Sequence, residues 1–165
     1  MNVIQWVTTQ FDQETKTTRR HLERLPADKL DWRPHEKSST AGALASHLVE
    51  CLRWTNEIFT KNEVNFDPAT YKPYEASSTG ALLEAFDKAV AEGKQVLAGV
   101  DEAAAMQPWS LKMSGHTLFE RPRIDVLRDF TLSHLIHHRG QFSVYLRLLN
   151  VPVPGSYGPS ADEPM

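Results

Sequence analysis

Apolar residues recur at helical spacing in four long segments of this chain. In each segment they return every three or four positions, which places them on one face of an α-helix. The predicted helices cover residues 3–25, 41–61, 80–100 and 122–150. Thr40 and Thr79 directly precede the second and third helices, where a hydroxyl can accept a free backbone N–H. Amphipathic helices of this number and length predict an all-α fold, a four-helix bundle.

The remaining segments lack a helical period. Residues 62–78 and 101–121 are interpreted as loops, with a short hairpin around KMSGHT, and we expect both loops to shape any pocket. From residue 151 onward, prolines and glycines predict an extended, irregular tail. The chain length of 165 residues suits one domain, so residues 1–165 are treated as a single bundle domain with a tail at 151–165.

Composition argues against some classes of function. The chain has 18 Lys and Arg against 21 Asp and Glu, a net charge of -3 with no basic cluster, so we expect no nucleic-acid partner. No apolar run is long enough for a bilayer, which predicts no membrane association. The N-terminus lacks the pattern of a secretion signal, and the single cysteine, Cys51, allows no intrachain disulfide. A cytoplasmic location is therefore expected.

Two histidines occupy the predicted inner face of the fourth helix. Since each residue advances about 100° around a helix, His134 and His138 share one face with apolar neighbours. Arg139 and the other charged residues fall on the opposite side. A pair at i and i+4 brings two imidazoles within reach of a single metal ion. His137 lies at the edge of this face and cannot easily join them.

A third histidine, His47, lies on the predicted inner face of the second helix. One inward histidine is usually a hydrogen-bonded core residue, and an HxxxH pair occurs by chance on many helices. Three buried imidazoles without partners, however, would carry a large desolvation penalty. The combination therefore predicts a divalent metal site with His47, His134 and His138 as ligands. Three nitrogen ligands leave one position open for water or substrate, as in catalytic sites.

Other candidate residues have two interpretations each. Cys51, one turn after His47, is more often a small buried hydrophobe than a fourth ligand or reactive thiol. Glu50 is more often a solvated carboxylate, but it could orient His47 or accept a proton as a catalytic group.

Three further histidines, in or near predicted loops, are interpreted as surface residues: His21, His35 and His116.

Two segments together resemble the DinB/YfiT-like superfamily of small helical-bundle metalloproteins. They are SHLIHHRGQFSVYLRLLNVPVPGSYGPSADE and LDWRPHEKSSTAGALASHLVE. The resemblance implies an up-down-down-up bundle with a crossover loop between helices two and three, metal ligands at His47, His134 and His138, and a homodimer. Ala43 departs from the pattern, because relatives often carry Glu there, and this weakens a capping box without touching the metal site.

The resemblance also implies two kinds of metal-dependent enzyme, a hydrolase or a transferase or isomerase using a low-molecular-weight thiol such as mycothiol, bacillithiol or glutathione. Zinc or nickel is the expected metal, with iron as a further option. Gln141, one turn past His138, is a second catalytic candidate that could position a small-molecule substrate, and Tyr157 in the tail could shape the pocket mouth. The alternatives are a non-catalytic metal-binding stress-response protein and a dimeric interaction module.

Overall fold

The computed structural model describes residues 2–164 and contains four long helical segments, as the apolar periodicity predicts. The first three are α1 (Val3–Leu22), α2 (Ala41–Thr60) and α3 (Thr79–Ala98), and a short helix, α4 (Glu102–Ala105), follows them. The fourth long segment joins α5 (Arg123–Val126), a π-helical turn (Leu127–Ser133) and α6 (His134–Leu148). A single 3-10 turn, Ala27–Lys29, lies between α1 and α2.

Side-chain caps determine where the long helices begin. Thr40 caps α2 as predicted, since its hydroxyl accepts from the Ala43 amide at 3.1 Å. The prediction for α3 was wrong by one residue, because Ser78 accepts from the Ala81 amide. Thr79 instead donates its hydroxyl hydrogen bond to the Leu25 carbonyl at 3.2 Å. This contact ties the start of α3 to the end of α1.

The long helices surround one apolar core. Helix α2 packs against α3 and α6, and α1 packs against the same two helices, so α1 and α2 occupy diagonal positions. Leu48, Phe86 and Phe142 are each no more than 1% exposed and come from three different helices. Their burial supplies the main favourable free energy of folding. Among residues 2–164, no helix combines the length and the apolar character that crossing a membrane requires.

The expectation of an all-α fold was wrong in part, because the chain also forms a three-stranded sheet. Its strands are β1 (Glu63–Phe66), β2 (Pro108–Met113) and β3 (His116–Pro122). Strands β2 and β3 form the hairpin predicted around KMSGHT, with Gly115 at a positive φ of 83° in the turn. Strand β1 lies in a segment predicted as loop and pairs in parallel with β2. That pairing joins segments far apart in sequence, which local periodicity cannot reveal.

The π-helical turn lies immediately before His134. Such turns are rare, and they are frequent at functional sites. This one packs against α2, where the buried hydroxyls of Thr131 and Thr55 lie 3.5 Å apart. The fourth helical segment was predicted as one regular helix, so the turn is a feature that the sequence pattern did not show.

Two residues interpreted as solvent-facing are buried. Arg139, on the side of α6 away from the histidines, is 2% exposed and contacts the Glu14 carboxylate of α1 at 2.6 Å. Tyr157 of the tail donates to the same carboxylate at 2.9 Å and accepts from Arg139 at 2.7 Å.

His21 is fully buried as well, with Nδ1 donating to the Thr17 carbonyl at 2.9 Å. The surface assignment of His21 was therefore wrong, since the tail covers this end of α1.

Candidate metal centre

The three histidines on the predicted inner faces lie together between α2 and α6. The ring centroid of His47 is 4.9 Å from that of His134 and 4.7 Å from that of His138. The His134 and His138 centroids are 4.6 Å apart. The closest nitrogens are the Nε2 atoms of His47 and His134, at 3.3 Å. Residues from two helices thus converge on one small space.

Hydrogen bonds to one nitrogen of His47 and one of His138 leave the second nitrogen of each ring for another partner. His47 Nδ1 lies 2.9 Å from Glu50 Oε2, and His138 Nδ1 lies 2.7 Å from Gln141 Oε1. Since a carboxylate and an amide oxygen only accept, both Nδ1 atoms donate, and in the tautomer protonated at Nδ1 it is Nε2 that carries the lone pair. A histidine whose other ring nitrogen donates to an oxygen is typical of metal-ligating histidines.

His134 is held in its neutral form. Burial, with the neighbouring His138 and His47, lowers its pKa to about 4, although a hydrogen bond to the Phe130 backbone acts in the opposite direction. Burial also lowers the pKa of His138, against the effect of its bond to Gln141. Phe130 belongs to the π-helical turn, so this turn contributes to the surroundings of His134. Neutral imidazole is the form that binds metal.

Cys51 lies close to two of the histidines, His47 and His134. One ligand atom from each of His47, Cys51 and His134 lies within 4.8 Å of the other two. The thiol is fully buried, as the interpretation as a small hydrophobe predicts, yet its position also fits the alternative of a further ligand. Burial, assisted by the Glu50 charge, raises the pKa of Cys51 to about 12. Without a metal ion the thiol is therefore protonated.

A cleft of about 670 Å³ opens beside His47 and His138. Its other walls include Gln141 and Tyr145 of α6 and the serine pair Ser38 and Ser39. Because the Tyr145 hydroxyl donates to the Ser39 carbonyl at 3.1 Å, the loop before α2 is attached to α6 across the cleft. These walls come from the first loop, α2 and α6, whereas the predicted loop 62–78 lines a second cleft, on which Glu50 also lies. Gln141 lines the cleft, and its contact with a substrate stays a prediction.

Glu50 has several partners and is not a solvated surface carboxylate. Its side chain is 13% exposed, and Oε1 accepts from the Tyr71 hydroxyl at 2.5 Å and the Tyr74 amide at 2.9 Å. Burial opposes ionisation, but hydrogen bonds from His47, Tyr71 and Tyr74 outweigh it and hold the pKa of Glu50 below its ordinary value. Of the two predicted roles, orientation of His47 is the one that these contacts support.

The other candidate residues lie apart from the site. His35 and His116 are exposed. His137 is exposed, and its ring pairs with that of His138, with centroids 4.8 Å apart. Tyr157, predicted at the pocket mouth, instead bonds to Glu14 and Arg139. Sequence reasoning missed Tyr71, because an aromatic residue in an aperiodic segment carries no signal for a contact with α2.

Comparison with known proteins gives matches over nearly the whole chain. The sequence model of the DinB family matches residues 5–164. The uncharacterised protein YrdA of Bacillus subtilis is 28% identical over 160 residues, which span 91% of this chain and 85% of YrdA.

Three solved structures share the fold. The DinB-like protein YjoA of Bacillus subtilis superposes with a TM-score of 0.70 at 18% identity, over 88% of this chain and 92% of YjoA. A DinB-like protein from Bacillus cereus gives the same TM-score at 20% identity, with the same coverage. A mycothiol-dependent maleylpyruvate isomerase gives 0.53 at 14% identity, over 92% of this chain and 62% of the isomerase. This chain thus spans less than two thirds of the isomerase.

Proposed function

The chain belongs to the DinB family, and on that premise we propose that it is a metal-dependent enzyme with His47, His134 and His138 as ligands. The observation that carries the proposal is the convergence of three imidazoles whose centroids are 4.6 to 4.9 Å apart. The His134 ring is neutral, and the Nδ1 atoms of His47 and His138 donate to oxygens. Zinc or nickel suits such a nitrogen donor set.

We prefer His138 to Cys51 as the third ligand, although the ligand atoms that lie within 4.8 Å of one another belong to His47, Cys51 and His134. The Nδ1 bond to Gln141 leaves His138 Nε2 free for the metal, and the same ring borders the cleft. Three ligands from the protein would leave one coordination position for water or substrate. Cys51 as a fourth ligand would close the position, so the alternative of a non-catalytic metal-binding protein depends on this one thiol.

A bound metal ion would supply a positive charge that lowers the pKa of a coordinated water or thiol. The neighbouring side chains would bind the substrate and orient the ligands. Gln141 and the serine pair present neutral hydrogen-bonding groups to a substrate, and Glu50 holds the His47 ring in place. A solved structure of similar fold is a mycothiol-dependent isomerase, which supports a thiol-dependent transfer or isomerisation over hydrolysis.

Elemental analysis of the purified, untagged protein tests the metal. We expect about one divalent ion per chain, lost in His47→Ala and retained in His35→Ala, which removes an exposed histidine. Wild-type protein that stays metal-free after incubation with zinc and with nickel would refute the proposal.

A second assay tests the reaction class. The zinc-loaded and nickel-loaded proteins would be titrated with mycothiol, bacillithiol and glutathione, with binding followed calorimetrically. We expect one thiol to bind the metal-loaded protein and not the metal-free protein. Binding of none of them, together with hydrolysis of model esters or amides, would replace the thiol-dependent proposal with a hydrolase.

A further inference from the structure

One carboxylate joins the connection between α2 and α3 to the histidine cluster. Glu50 uses Oε2 for His47 Nδ1 and Oε1 for the Tyr71 hydroxyl and the Tyr74 amide. Tyr71 and Tyr74 lie more than 20 positions beyond Glu50, so the contacts are tertiary. A carboxylate bonded on both oxygens cannot rotate without losing a partner.

We propose that Tyr71 is a positioning residue of the metal centre, whose hydroxyl holds Glu50 so that the His47 ring keeps its proton on Nδ1 and turns Nε2 toward His134. Without the Tyr71 hydroxyl, Oε1 keeps only the Tyr74 amide, so Glu50 is held less firmly against Nδ1 and the His47 ring can carry its proton on either nitrogen. A proton on Nε2 would block the atom that faces the centre. The metal part of the inference rests on the proposed function, whereas the ring orientation holds in the metal-free protein.

The hydroxyl of Tyr71 is itself held in place by the small sheet. Its ring packs against Phe66 with centroids 4.9 Å apart, and Phe66 is the last residue of β1. Strand β1 is paired with β2, so the sheet restricts the ring. An O–H donor to a carboxylate at 2.5 Å is at the short, strong end of such bonds. The hydrogen bond from the Tyr71 hydroxyl therefore fixes the orientation of the Glu50 carboxylate.

Removing the hydroxyl leaves the core intact. Tyr71 is 47% exposed and lines a cleft of about 600 Å³ on the outer side of Glu50. Tyr71→Phe keeps the ring against Phe66 and deletes one bond. Tyr157→Phe is the matched control, since its hydroxyl also donates to a glutamate, Glu14, at 2.9 Å but away from the histidines.

The first measurement is zinc affinity by competition with a chromophoric chelator. Loss of an outer-shell partner typically costs 10- to 100-fold in metal affinity. Because Tyr71 acts through Glu50 and does not itself bond to His47, we expect a loss at the lower end of that range, about tenfold, in Tyr71→Phe and less than about threefold in Tyr157→Phe.

The second measurement is the His47 ring state in the metal-free full-length protein, from long-range ¹H–¹⁵N spectra assigned with His47→Asn. Wild type and Tyr157→Phe should show a single Nδ1–H tautomer, and Tyr71→Phe a mixture. An unchanged tautomer in Tyr71→Phe would overturn the inference, whatever happens to zinc affinity, because a merely structural role would leave the tautomer unaltered. If wild type binds no zinc but the tautomer depends on Tyr71, the proposed function fails and the positioning role stands.

Discussion

The Nε2 atoms of His47 and His134 lie 3.3 Å apart, although 87 positions separate the two residues in the chain. Nδ1 of His47 donates to Glu50, so the lone pair on Nε2 of His47 is directed at the His134 ring. Two nitrogens this close, on rings from different helices, form the centre of the proposed site. The predictions below begin with that pair.

His134→Ala should abolish tight zinc binding, whereas His137→Ala should leave it nearly unchanged. The two residues lie on the same helix, but only His134 faces His47. Isothermal titration of both metal-free variants would measure the difference. Equal retention of zinc by the two variants would contradict the ligand assignment.

Cobalt substitution should separate the two candidates for the third ligand. If His138 is the ligand, the cobalt protein lacks a thiolate-to-cobalt charge-transfer band in the near ultraviolet, and Cys51→Ser leaves its spectrum and affinity unchanged. His138→Ala should then weaken cobalt binding severely. A charge-transfer band that disappears in Cys51→Ser would show a thiolate ligand within the group His47, Cys51 and His134.

Breaking the buried ion pair of Glu14 and Arg139 should destabilise the fold strongly. Their side chains are 5% and 2% exposed, so Glu14→Ala leaves a buried guanidinium without its carboxylate. We expect a loss of about 3 to 5 kcal/mol in the free energy of unfolding, measured by urea denaturation. The control is Lys88→Ala, which removes an exposed pair with Glu92 at 3.9 Å and should cost less than about 1 kcal/mol. Similar losses in both variants would contradict this account.

Alanine at two helical glycines should have opposite effects on stability. A Cβ at Gly93 of α3 would lie 2.6 Å from Phe11 Cζ, and Phe11 is fully buried. Gly93→Ala should therefore lower the free energy of unfolding by about 1 to 3 kcal/mol. At Gly140 of α6 a Cβ would meet no heavy atom within 4 Å beyond its chain neighbours and the backbone of its own helix. Gly140→Ala should therefore raise the free energy of unfolding by up to about 1 kcal/mol through helix propensity. Thermal denaturation would compare the two, and a stabilised Gly93→Ala would refute the packing argument.

His21 should make folding less favourable in mild acid. Burial lowers its pKa, partly offset by the bond to the Thr17 carbonyl, so the unfolded chain binds a proton more readily than the folded chain. The contribution of His21 to stability is complete above the unfolded pKa of about 6.5 and is lost as the pH falls toward the folded value. In chelator-treated protein, His21→Asn should show a shallower fall in stability between about pH 7 and 5 than wild type. Parallel curves would contradict the prediction.

Local sequence determined the helical part of this fold. Apolar spacing placed α1, α2, α3 and α6 nearly where they occur, because a helix is closed by contacts three to four residues apart. The π-helical turn and strand β1 depend on distant partners. Strand β1 forms only because Glu63–Phe66 meets β2, some 47 positions further on in the register of Glu63 and Ser110. The repeat of apolar positions along the chain carries no information about such a distant partner.

The same division holds at the metal centre. The sequence by itself placed His47, His134 and His138 on inner helical faces, since a helix repeats its direction at fixed intervals. Only the tertiary structure decided that Tyr71 bonds to Glu50 and that Arg139 is buried against Glu14. It also decided that the loop before α2 lines the cleft beside His47 and His138. Those contacts depend on which segments pack against one another, and packing is set by the whole chain rather than by any local repeat.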